Sequence, residues 1–98
     1  MAKILIVDDD QQIIDYLMAV LLPPGHDLKA ENSANRALLI MPDFHPDLII
    51  TDVFMPEMDG FEFIKRIRRL DKEVNILAIS AGSKGYSNDR TLATAKDF

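Results

Sequence analysis

The sequence has no cysteine and no tryptophan, only four glycines, and fewer basic than acidic residues. Without cysteine there is no disulfide, no thiolate metal site and no thiol nucleophile, and nothing argues for export. No apolar run approaches the roughly 18 residues needed to cross a bilayer. The amino terminus, MAKILIVDDD, carries one lysine and a short apolar run that ends in three carboxylates. A signal peptide would need a longer apolar region and a small-residue cleavage site. Eleven Lys and Arg against sixteen Asp and Glu give a net charge of −5. Such a surface repels phosphate backbones and anionic lipid, so neither nucleic acid nor a membrane is expected as a direct partner. What is present, 48% hydrophobic and 28% charged residues, is ordinary for a soluble globular chain. Ninety-eight residues suit a single domain spanning 1–98, with no room for a separate output domain. The expectation is an acidic, cytoplasmic, one-domain protein.

The chain has no internal repeat or low-complexity tract, so its elements are read in order. Ile4-Leu5-Ile6-Val7 is apolar on both faces, as a buried parallel strand requires. Asp8, Asp9 and Asp10 follow, and Asp10 is placed to cap a helix that buries Ile13, Ile14, Leu17, Met18, Leu21 and Leu22. Pro23-Pro24-Gly25 stops it. A weak edge strand is expected at 27–32. Asn32 or Ser33 then caps a helix over Ala34–Met41, ended by Pro42 and Pro46. Leu48-Ile49-Ile50 is a second two-faced strand that terminates at Thr51-Asp52. Asp59-Gly60-Phe61-Glu62 has capping-box spacing, with Phe61, Ile64, Ile67 and Leu70 as one helical stripe. Val74–Ile79 is the fourth strand and runs into Ser80-Ala81-Gly82; a last weak helix is expected from about Ser87 to Lys96. Helical crossovers between two-faced strands give a doubly wound α/β sheet, in which sites form beyond the carboxyl ends of the strands.

Three of the four strands end in a chemically distinctive group: Asp8-Asp9, Asp52 and Ser80. On adjacent strands these side chains meet at one rim. Clustered carboxylates raise one another's pKa unless a cation sits among them. All-oxygen donors with few protein ligands favour Mg²⁺. One carboxylate there can attack phosphorus to give an acyl phosphate, with Ser80 supplying a hydroxyl to the phosphoryl oxygens. Taken singly, acidic residues after a strand are commonly helix caps. The joint pattern at three strand ends is what points to a site.

At these residues the chain resembles the receiver domain of bacterial two-component response regulators. The matching segments are ILIVDDD, DLIITDVFMPEMDG and ILAISA, and the middle one is the most specific. The resemblance implies a flavodoxin-like (CheY-like) parallel sheet of order 2-1-3-4. It implies Asp52 as the residue phosphorylated by a histidine kinase or phosphotransfer protein. Asp9 would ligate Mg²⁺ directly, Asp8 mainly through water, and the backbone carbonyl of Phe54 would be a further ligand. Ser80 would be the switch hydroxyl. Such a domain handles a phosphoryl group slowly and is not a turnover enzyme.

The family pattern is expected to break off at Ala95-Lys96-Asp97-Phe98, where receivers usually continue. The usual fifth strand, with its Lys-Pro pair, and the fifth helix are expected to be missing, which would leave the fourth strand an exposed apolar edge open to self-association. Lys84 reads as a solvated loop lysine. The loop 81–87 is glycine-rich and reads as a flexible connection or as a gate on access to Asp52. His26 and His45 read as surface residues in turns, and Lys65, Arg66, Arg68 and Arg69 as a solvated helix face. Two other functions fit parts of the sequence. One is an interaction module that recognises a partner without being phosphorylated. The other is a haloacid-dehalogenase-type phosphohydrolase with Asp8 as nucleophile and Asp10 as acid/base. Against the latter, Gln12 stands where Thr or Val is usual, no later acidic pair follows, and the chain is short.

Overall fold

The computed structural model describes residues 2–80 and 91–94, with side chains described as far as Ile79. Strand β1 (Lys3–Val7) is followed by helix α1 (Gln11–Leu21), β2 (Asp27–Glu31), α2 (Ala34–Phe44), β3 (Leu48–Asp52), α3 (Gly60–Leu70), β4 (Asn75–Ser80) and β5 (Thr91–Thr94). The sheet order is β2-β1-β3-β4-β5, the first four strands parallel and β5 antiparallel to β4. Successive side chains point to opposite faces of a strand. Leu5, Val7 and Ile49 accordingly face α2 and α3, where they pack with Ala37, Met41, Phe63 and Ile67. Ile4, Ile6, Ile50 and Ile79 face α1 and its Ile14. The expected doubly wound sheet of order 2-1-3-4 is present, and both central strands are buried on both sides.

The helix starts follow local capping chemistry. Asp10 accepts the Gln12 amide at 2.9 Å, Ser33 accepts the Arg36 amide at 3.3 Å, and Asp59 accepts the Glu62 amide at 2.9 Å. The Asp59 half of the expected capping box therefore forms, while the Glu62 carboxylate takes the Arg66 guanidinium at 3.0 Å.

The structure differs from the sequence reading in three places. Pro42 does not end α2, which runs on to Phe44 and stops at His45 in the left-handed conformation, φ 53°. A proline near the end of a helix removes one backbone donor, and the burial of Met41 and Phe44 outweighs that loss. In α3 the buried residues are Gly60, Phe63 and Ile67, while Phe61 and Leu70 are more than half exposed. A spacing of three falls about 60° short of a full turn at each step, so a stripe built on it winds off the core by its ends.

The third difference concerns the end of the sheet. Residues 91–94, expected within a helix, form β5 beside β4, with Ser80 opposite Thr91 and Leu77 opposite Thr94. An apolar strand with open backbone groups is a template for pairing, and a Thr-Leu-Ala-Thr segment suits it. β4 is therefore hydrogen-bonded on both sides, and the open edge expected there is covered by residues 91–94. The remainder of the expected helix, the 81–87 loop and Lys84 lie outside the described residues. The described helices include none long and apolar enough to cross a membrane.

Candidate functional site

β1 and β3 are neighbours in register, Val7 opposite Thr51, so the residues that follow them emerge together. The Asp8 amide prolongs the ladder by donating to the Glu31 carbonyl at 3.2 Å, and the Val53 amide does the same toward Ile79 at 3.2 Å. Asp8 and Asp52 are thus fixed by sheet hydrogen bonds at or immediately beside them. Both are buried, 4% and 7% exposed, whereas Asp9 is exposed. One carboxylate oxygen from each of Asp8, Asp9 and Asp52 lies within 4.8 Å of the other two.

The two buried carboxylates are oriented by the same local device. Asp8 Oδ1 accepts the Asp10 amide at 2.9 Å, and Asp52 Oδ1 accepts the Phe54 amide at 3.1 Å. These two-residue turns are a characteristic use of aspartate. Thr51, fully buried, donates its hydroxyl to the Asp52 carbonyl at 3.0 Å. Beside the cluster lies a cavity of about 310 Å³ lined by Asp9, Val53, Phe54, Met55, Pro56 and Asp59.

Burial pushes the Asp8 carboxyl up from 3.8 to about 6; the Asp10 amide bond works against that rise, and the charges of Asp52, Asp9 and Asp10 add to it. Three carboxylates held this close, one of them driven toward its neutral form, fit a hard divalent cation that would relieve both the desolvation and the repulsion. The donor set therefore passes the test of charge and chemistry for Mg²⁺.

The sequence expectations fall as follows. Asp8, Asp9 and Asp52 come together. Phe54 lines the adjoining cavity, and its amide is engaged by Asp52. Ser80 is the last residue of β4, and its hydroxyl is outside the described atoms. Asp10 is turned into the cap of α1, which is at odds with an acid/base role. His26 accepts the Ala2 amide through Nδ1 at 3.1 Å, and His45 ends α2. Arg68 is engaged with the Val74 carbonyl at 2.6 Å and so ties α3 to the start of β4. Two residues after β3, Gly60 at the first position of α3 and Glu57 in the loop, have roles that the sequence reading did not assign. Gly60 is pressed against Val53, where a Cβ would sit 2.8 Å from its Cα. Glu57 binds the first turn of α2. A glycine at a helix start was a readable signal for the first; the second has no local signal.

Residues 4–98 match the family model of the response regulator receiver domain. The chemotaxis protein CheY of Bacillus subtilis is 36% identical over 99 residues, covering 98% of this chain and 82% of that protein. The DNA-binding transcriptional regulator NtrC of Azospirillum brasilense is 36% identical over 80 residues, 82% of this chain but 17% of that protein. In the solved structure of chemotaxis protein CheY4 from Vibrio cholerae, the similarity covers 80% of this chain and 67% of that one, at 36% identity and a TM-score of 0.76. The chain belongs to the response regulator receiver family of two-component systems.

Proposed function

We propose that the chain is a phosphoacceptor, taking a phosphoryl group onto Asp52 from the phosphohistidine of a sensor kinase or phosphotransfer protein. The observation that carries this reading is the meeting of Asp8, Asp9 and Asp52 within 4.8 Å at the ends of two neighbouring strands. An Asp52 carboxylate oxygen attacks phosphorus as the P–N bond to the donor imidazole breaks. An acyl phosphate forms on Asp52, and the imidazole leaves with the bonding pair and takes up a proton. Asp8, Asp9, Asp52 and the backbone carbonyl of Phe54 are the groups that would hold Mg²⁺, which when bound supplies positive charge against the phosphoryl oxygens. The Phe54 amide holds the Asp52 side chain in one orientation, and the cavity beside Asp9 gives the donor room to approach. Ser80, the last residue of β4, would supply the switch hydroxyl. As a receiver domain over 1–98 the chain acts as a signalling module in the cytoplasm.

The test is the intact mass after incubation with phosphoramidate and Mg²⁺, with Asp52→Asn in parallel. A gain of about 80 Da, the mass of one phosphoryl group on an acyl oxygen, is expected in the parent and not in the variant. A parent chain that binds Mg²⁺ yet never gains that mass is an interaction module and not a phosphoacceptor.

A further inference from the structure

Glu57 lies in the loop between Asp52 and α3, and its carboxylate leaves that loop to grip a different element. Oε1 accepts the Ala34 amide at 2.7 Å and Oε2 accepts the Ser33 hydroxyl at 2.8 Å, both at the start of α2. A carboxylate on the first amides of a helix makes charge-assisted hydrogen bonds and faces the positive end of the helix dipole. The connection continues beyond α2. Ser33 Oγ also accepts the Arg36 amide at 3.3 Å, and Arg36 Nε meets Glu31 Oε1 at 3.2 Å. Glu31 closes β2, and its carbonyl accepts the Asp8 amide. A continuous path of short contacts therefore runs from the loop that carries Phe54, across the head of α2, to the backbone of Asp8.

Near its two ends the loop is tied to itself and to β3. The Phe54 amide rests on Asp52 Oδ1, and the Gly60 amide donates to the Val53 carbonyl at 3.1 Å. Between those points Met55 is buried in the core, and Glu57 reaches α2 by hydrogen bonds. Resting on the reading of Asp52 as phosphoacceptor, we infer that Glu57 is a positioning residue for that site. By pinning its loop to α2, it holds the Phe54 backbone where its amide orients Asp52. A residue that merely caps α2 would leave Phe54 untouched, and this difference is measurable.

The experiment uses the full chain with Glu57→Ala and Glu57→Gln. The glutamine side chain is isosteric with glutamate: its amide oxygen can accept from Ala34 and its NH₂ can donate to Ser33 Oγ. Amide hydrogen exchange is followed at Phe54, at Ala34 and at Ile49, the last reporting on the folded core. Phosphoryl uptake from phosphoramidate is followed at saturating Mg²⁺. Glu57→Ala is expected to speed exchange at Phe54 about tenfold and to slow uptake by about 10- to 100-fold, the scale of a small misplacement at a reacting centre. Glu57→Gln is expected to restore both. Unchanged Phe54 exchange in Glu57→Ala, with only Ala34 affected, overturns the inference and leaves a helix cap. If Ile49 also loses protection, Ser33→Ala replaces Glu57→Ala; it removes one of the two bonds and must still speed Phe54 exchange. A parent chain that takes up no phosphoryl group defeats the phosphoacceptor reading, while the Phe54 comparison still decides whether Glu57 holds the loop.

Discussion

Asp8 and Asp52 stand side by side at the ends of neighbouring strands, both buried, with carboxylate oxygens no more than 4.8 Å apart. For Asp8 this placement works against stability at neutral pH. Its carboxyl is raised to about 6, so the folded chain binds its proton more tightly than the unfolded chain does. Without a cation, stability from this group is fully present below about pH 4 and is lost as pH rises through 6. Replacing Asp8 by Asn removes the charge and keeps the acceptor for the Asp10 amide. In chelator at pH 7.5, Asp8→Asn is expected to stabilise the chain by about 1–3 kcal/mol in denaturant titration. At pH 4 the gain should vanish, and a variant less stable than the parent at pH 7.5 would contradict this assignment.

Magnesium should act on the parent in the opposite sense to chelation. A cation that binds only the folded state adds about 1.4 kcal/mol at ten times its Kd, seen as a rise in Tm. Asp9 is exposed, so Asp9→Asn should alter stability in chelator by less than about 0.5 kcal/mol. The same variant should lose most of the magnesium-dependent rise. A full rise in Asp9→Asn would remove Asp9 from the metal site.

Gly60 and Gly25 should respond differently to the same added methyl group. At Gly60 that methyl meets the Val53 backbone at 2.8 Å, and Val53 directly follows Asp52. Gly60→Ala should cost about 1–3 kcal/mol and also slow phosphoryl uptake, because relief of the clash moves the residue next to the acceptor. Gly25 has a φ of +91° and nothing within 4 Å of its would-be Cβ. Gly25→Ala should cost about 1 kcal/mol from backbone strain and leave uptake at the parent rate. Equal effects on uptake would break the link between Gly60 and the site.

In α3, Phe63 is fully buried and Phe61 is 59% exposed. Phe63→Ala should therefore destabilise by about 3–5 kcal/mol. Phe61→Ala should cost less than about 1 kcal/mol. Thermal unfolding of the two variants checks the order.

That pair also shows what the sequence could reveal. The strand ends were legible because Val7-Asp8 and Thr51-Asp52 each set a carboxylate against a run apolar on both faces, and such a run fits little besides a strand covered on both sides. The caps Asp10, Ser33 and Asp59 were legible because capping is local. The buried face of α3 was not, since Phe61 and Phe63 are both aromatic and only packing against β1 and β3 selects between them. The end of α2 was misplaced because the proline penalty is local while burial of Phe44 is tertiary. Residues 91–94 pair with β4 because of what lies across the sheet, which a helical pattern read along the chain does not contain. The Glu57–Ser33 contact was invisible for the same reason: its two halves belong to different elements and share no motif.

The central claim, that Asp52 forms an acyl phosphate, is tested most directly by trapping the product. The chain is incubated with phosphoramidate and Mg²⁺, treated with borohydride, digested and sequenced by mass spectrometry. Borohydride reduces an acyl phosphate to the alcohol, which converts aspartate to homoserine with a loss of about 14 Da relative to the unmodified residue. Homoserine at position 52 and at no other aspartate is the predicted result. Homoserine at Asp8 or Asp10, or none after demonstrated Mg²⁺ binding, would contradict it.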